Sequence, residues 1–465
     1  MNFEELQEAI DVFSKAIELD SRDVWALKNR ACAHDSLGNN EEALADYTRV
    51  IDLDSKDAWA WKNRGCVYFS AGDYEKAIAD FSMAIMLTPK DALTYRNRGL
   101  AFKKLCQWQG AIADFSMAIQ LDPKDAITYR NRGLAFNELG KFQEAIGDYS
   151  KATGLDSKDV WAFKNRGFAF NELGKYEEAI ADYSKAINLD SKDATAFCNR
   201  GFAFNELGKY EEAIADFSKA IELNPDDAWA YKNRGNAFGV FSNYGKAILD
   251  YSKAISLDSG DGWVFRNRGN AFAELHKYEE AVADYSKAMD SIADDAVVFR
   301  KRGLAFAALG KIEEAIANYS RAIELDPNDA GTYRDHGLAF EKLGNCEGAI
   351  HDYSKAIELD ANNPWNYYAR GCAYCSIGKN EEAVEDYSKA IDLEPADALV
   401  YSSRGLVFIN LGKFEDAIAD YSKVIQLNPN DAWAYHNRGI ALEKLGRREE
   451  ADHDYAKANA LYSIA

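Results

Sequence analysis

"VWAFKNRGFAFNELGKYEEAIADYSKAINLDSKD", residues 160–193, contains two helical patterns parted by a glycine. In the first half, Phe163, Gly167, Phe170 and Leu173 recur at steps of four, three and three, the spacing of one helix face. In the second, Tyr176, Ala179, Ile180, Tyr183, Ala186 and Ile187 do the same. Asp159, just before the first pattern, is a side chain that caps helix N-termini, and Gly174, between the two, suits the left-handed residue that ends a helix. The stretch therefore predicts a helix, a turn and a second helix.

The same unit fills the chain. Gly65, Gly99, Gly133, Gly167, Gly201, Gly235, Gly269, Gly303, Gly337, Gly371, Gly405 and Gly439 stand 34 residues apart, and Ala31 holds the equivalent place at the start of the series. Counted from seven residues before each glycine, 24–465 divides into thirteen gapless repeats of 34. Residues 1–23 match the second helix of one more, partial repeat. Six of the seven prolines fall in the turn after a second helix, and Pro364 opens a first helix, where its missing N–H does no harm. A lone helix pair cannot bury its apolar face, so the expectation is all-α: a single continuous solenoid of stacked antiparallel helix pairs.

Composition narrows the function. A formal charge of −21 opposes binding to nucleic acid, which needs a basic face. No apolar run approaches the roughly 20 residues of a membrane span, and the start "MNFEELQEAI" has no basic and apolar leader. Seven cysteines are odd in number and sparse for 465 residues, which suits a reducing, cytoplasmic setting better than a disulfide framework. Six histidines are scattered over five repeat positions, and "CAYC" (372–375) sits inside a helical pattern with no second pair at metal-binding spacing. Phosphate-cradling glycine loops are absent, so no enzyme, cofactor or metal is expected.

In the second repeat, Trp61, Gly65, Tyr68, Ala77, Phe81 and Pro89 follow the order aromatic, Gly, aromatic, Ala, aromatic, Pro. With the 34-residue period, this resembles the tetratricopeptide repeat along the whole chain. The resemblance implies a right-handed superhelical solenoid whose first helices line a concave groove, and a role as a scaffold for a protein or peptide partner. It also places repeat positions 2, 5, 9 and 12 in that groove, with position 6 nearby. The chain departs from the family pattern at position 7, where Arg64 and its equivalents replace a leucine.

Three groove positions recur. Position 2 is tryptophan in seven repeats, either packing on the adjoining repeat or flooring a ligand site. Position 5 is basic in nine, among them Lys28, Lys62, Arg96 and Lys164, either as a solvated face or as a lure for an acidic or carboxylate-ended peptide. Position 6 is asparagine at Asn29, Asn63, Asn97, Asn131, Asn165, Asn199, Asn233, Asn267 and Asn437. A carboxamide both donates and accepts, so it can pair with the main chain of any peptide; the family uses asparagines at this position in that way. The pattern of the family's chaperone-tail binders is best matched by Lys232, Asn236, Asn267 and Arg300, with Leu304 standing where a further base belongs. Two rival readings are a self-associating superhelix joined through uncapped ends, and the binding arm of a larger protein such as a glycosyltransferase.

The position-7 arginine needs a counter-charge if it lies between helices. Position 23 supplies aspartate in twelve of thirteen repeats. The exceptions, Asn318 in repeat 9 and His336 in place of the arginine in repeat 10, suggest pairing across the repeat boundary. That register predicts Asp216 with Arg234, Asp250 with Arg268 and Asp386 with Arg404, and leaves Val12 opposite Arg30 unexplained.

Overall fold

A computed structural model describes residues 2–463; the first residue and the last two of the thirteenth repeat lie outside it. These residues form 27 helices and no strand, and none of the helices is long and apolar enough to cross a membrane. They fall into two compact bodies, 1–237 and 238–465, each a run of antiparallel helix pairs stacked in chain order.

Repeat 5 shows how the residues make the pair. Asp159 Oδ1 accepts the Ala162 N–H at 2.9 Å and starts the first helix, Val160–Glu172. Gly174, at φ +69°, turns the chain out of it. The second helix, Tyr176–Leu189, opens with Glu177 and Glu178, whose charges favour the positive end of the helix dipole. Past its end, Asp190 Oδ1 accepts the Lys192 N–H at 3.0 Å, which delivers the chain to the next cap, Asp193.

The two helices meet at Gly167. A Cβ added there would lie 2.9 Å from Tyr183 Cε1, so the ring covers the glycine's bare backbone. Tyr183 is fully buried, and its cluster takes in Ala203 of the next repeat. One ring thus closes its own helix pair and joins the pair to its neighbour.

The arginine register differs from the expectation. Arg166 grips Asp182 of its own repeat with two parallel bonds, Nε to Oδ2 at 2.7 Å and Nη2 to Oδ1 at 2.6 Å. Its remaining Nη1 donates to Ser150 Oγ of the preceding repeat at 3.1 Å. Asp216 accordingly pairs with Arg200, not Arg234; Arg268 pairs with Asp284, not Asp250; Asp386 pairs with Arg370, and Arg404 with Asp420. Arg234 donates to Ser218 Oγ at 3.0 Å. The cause is the close approach at position 8: residues 7 and 23 flank the glycine and the ring that covers it, so they are neighbours within one helix pair. Val12 then needs no explanation, because Arg30 pairs with Asp46. Each exception also stands alone, Arg302 meeting Asn318 at 2.8 Å and His336 lying 2.8 Å from Asp352.

Candidate peptide-binding groove

Each first helix offers a row of side chains built outward from the glycine. The asparagines at position 6 are the most uniform. Asn29, Asn63, Asn165 and Asn233 each donate Nδ2–H to the carbonyl four residues earlier, at 2.7 or 2.8 Å, always that of a position-2 tryptophan. All four are half-buried. One N–H is used to fix the carboxamide, and its oxygen is left to accept.

The row is not uniform throughout. Asn131 is buried, donates to the Ile127 carbonyl and accepts from Lys103 Nζ at 2.7 Å, so its oxygen is engaged. Burial, with Lys104 and Arg130 nearby, lowers the affinity of Lys103 for its proton. Asn97 turns its amide to Cys66 Sγ at 3.5 Å, and Asn199 is half-buried on the first helix of repeat 6, Ala194–Glu206. Asn267 continues the row on the second body, after which the position holds Lys301, Asp335, Ala369 and Ser403.

The basic residues at position 5 do not stand free. Lys28 pairs with Asp57, and Lys62 with Asp91 at 3.0 Å. Arg96 pairs with Asp125 at 2.8 Å and Arg130 with Asp159 at 3.1 Å. Lys164–Asp193, Arg266–Asp295 and Arg300–Asp329 repeat the contact. Every acid in this set is the N-cap of the following repeat. Burial alone would push the Asp91 carboxyl up, but the Thr94 hydroxyl, Lys62 and the Leu93 amide outweigh it and hold it below its ordinary range. Sequence inspection sees the bases and the caps but misses their pairing, because 29 residues separate the partners.

The tryptophans pack on the adjoining repeat and keep an open outer face. Tyr47 meets Trp59, Tyr149 meets Trp161 and Tyr421 meets Trp433 edge-on, with ring centres 5.9 to 6.1 Å apart, so each indole packs on the buried ring of the preceding repeat. The outer faces stay open, Trp59 being 38% and Trp25 66% exposed. Lys28 lies 5.1 Å from the Trp59 ring and Arg130 lies 5.5 Å from that of Trp161.

The chaperone-tail set is drawn from both bodies. Lys232 and Asn236 stand on Ala228–Val240, Asn267 on Gly262–Glu274 and Arg300 on Ala296–Ala308. Arg300 is held by two carboxylates, Asp335 at 2.8 Å and Asp329 at 3.2 Å. Among the described residues no group of three His, Cys, Asp or Glu side chains could hold a metal. Cys372 and Cys375 both approach the Tyr387 hydroxyl, at 3.4 and 3.5 Å, and burial pushes both thiols up.

Comparison with known proteins agrees with the repeat. A family model described as a TPR repeat matches residues 133–174, 169–208, 203–239, 303–344, 337–375, 371–412 and 405–446. Models described as tetratricopeptide repeats match 28–92, 67–127 and 434–463. Curated protein sequences give no match. Among solved structures, the crystal structure of MamA is 30% identical, covering 35% of this chain and 95% of that one at a TM-score of 0.34. The structure of YrrB, described as a TPR protein with an unusual peptide-binding site, is 25% identical over 40% of this chain and 97% of that one, with a TM-score of 0.38. The Cut9–Hcn1 hetero-tetramer of APC/C is 16% identical over 92% of this chain and 98% of that one, at 0.41.

Proposed function

Because this chain belongs to the tetratricopeptide repeat family, whose tandem helix pairs serve as protein-interaction scaffolds, we propose that its first body binds an extended segment of a partner protein along the first helices. The observation that carries the reading is the fixed carboxamide. Asn29, Asn63, Asn165 and Asn233 each surrender one N–H to their own helix and keep an acceptor in a set orientation. A preset acceptor loses little freedom when a main-chain N–H arrives. The role is a non-catalytic, cytoplasmic scaffold.

Recognition then rests on the guest's backbone more than on its charge. An acidic or carboxylate-ended guest draws less support, because the position-5 bases already face the caps of their own chain and Arg300 is shared by Asp329 and Asp335.

The test is co-precipitation from a host lysate with the wild type and with a variant carrying Asn29→Ala, Asn63→Ala, Asn165→Ala and Asn233→Ala. Alanine keeps the helices, so circular dichroism stays unchanged while partner recovery falls at least tenfold. Unchanged recovery would remove the asparagine reading.

A further inference from the structure

In at least seven repeats, a lysine or arginine at position 5 reaches the capping aspartate of the next repeat. In two of them, Lys28 and Arg130, it also lies over that repeat's tryptophan. The chain thus shows repeatedly that a cation held by a carboxylate fits between two adjoining first helices, and Arg266, paired with Asp295 and 4.0 Å from the ring of Trp263, shows that such a cation can also lie over the tryptophan of its own repeat.

Repeat 11 lacks that cation. Its position 5 is Tyr368, on the first helix Pro364–Ser376, a side chain with no positive charge to offer the cap. Asp397 still caps the next helix, Oδ1 accepting the Leu399 N–H at 2.8 Å, but among the described residues no lysine, arginine or histidine pairs with it or with Glu394. A hollow of about 80 Å³ opens there, lined by Trp365, Tyr368, Glu394, Asp397 and Leu399 among others. Trp365 is 51% exposed and meets Tyr368 edge-on at 5.5 Å.

We propose that this hollow between repeats 11 and 12 binds a lysine or arginine side chain of a partner polypeptide, which takes the place that the chain's own base fills elsewhere. The size agrees, since on this measure one water needs only about 10–15 Å³, so the hollow has room for an ammonium or guanidinium head. The charge agrees as well: two carboxylates and an open indole face suit a cation and repel an acid. The site is separate from the asparagine row of the first body and does not depend on it.

The probe is a dye-labelled hexapeptide, Ala-Ala-X-Ala-Ala-Ala, with X as lysine, arginine, norleucine or glutamate, titrated against the full chain at 0.15 M salt by fluorescence anisotropy. Lysine and arginine should bind at least tenfold more tightly than norleucine. Asp397→Asn should erase the preference without loosening the helix, since Asn363 caps the preceding repeat through Trp365 N–H at 3.0 Å. Tyr368→Lys, which restores the base found in repeat 5, should erase it too. Glu177→Gln, which removes one exposed acid from the first body, and the four-asparagine variant should both keep it. Equal binding of lysine and norleucine would overturn the proposal. So would a preference that survives Asp397→Asn and Tyr368→Lys, because that would be general attraction to a chain of charge −21, or one lost with the asparagines.

Discussion

At the scale of single residues, the repeated arginine is a structural clamp with two kinds of bond. Its fork holds the aspartate of its own repeat, and its third nitrogen reaches a hydroxyl of the repeat before, as Arg64 does with Asp80 and Thr48. The hydrogen bonds that Arg64 donates to Asp80 raise the Arg64 pKa against the effect of burial, so the guanidinium is charged throughout the neutral range. Arg404→Leu should cost roughly 3–5 kcal/mol by stranding Asp420. In a double-mutant cycle read by denaturant unfolding, Arg404 should couple to Asp420 by roughly 1–3 kcal/mol, and to Asp386 by less than about 0.5 kcal/mol; the reverse order would restore pairing across the boundary. Repeat 9 offers the opposite experiment. Burial lowers the pKa of Arg302, whose partner Asn318 brings no charge, so Asn318→Asp should stabilise the protein by roughly 1–2 kcal/mol, seen as a higher melting temperature.

At the scale of helices, the glycine decides how close a pair can come. Gly133 lies under Tyr149, and a Cβ there would fall 2.8 Å from the ring. Gly133→Ala should therefore destabilise the chain by roughly 1–3 kcal/mol. Gly147, on the partner helix Phe142–Leu155, has nothing within 4 Å of such a Cβ, so Gly147→Ala should stabilise by up to about 1 kcal/mol. Thermal unfolding of the two variants checks both signs, and a shared sign would deny the close approach its role. The pairs themselves were legible in the sequence: helix faces, capping aspartates and turn prolines all recur at 34 residues. The groove was legible only in part. Asparagine and tryptophan showed their positions, whereas Asn131 proved buried because Lys103 and its own helix claim both ends of its carboxamide.

At the scale of the whole molecule, one set of links between repeats runs through the caps, and that gives stability a pH signature. Asp91, Asp125 and Asp329 have carboxyls held below the ordinary range, each by a threonine hydroxyl and a base outweighing burial. A lowered folded pKa adds stability that is complete above the unfolded value, about 3.9, and fades as pH falls below it. Helicity followed by circular dichroism should hold from neutrality to about pH 4 and melt below that; melting that begins near pH 6 would assign the loss to histidine instead. The 34-residue period, the two helices per unit and the residues at each position are properties of the chain read along its length, because helical spacing, capping and turn chemistry are local. The partner of each charge was decided by tertiary structure. Position 7 faces position 23 of its own repeat because the two helices of a pair close on each other at position 8, over glycine in most repeats and over Ala31 in the first, and position 5 meets a cap 29 residues on because the next repeat stacks there. A periodic sequence offers the same residue types one repeat earlier or later, so only the packed helices could choose between them.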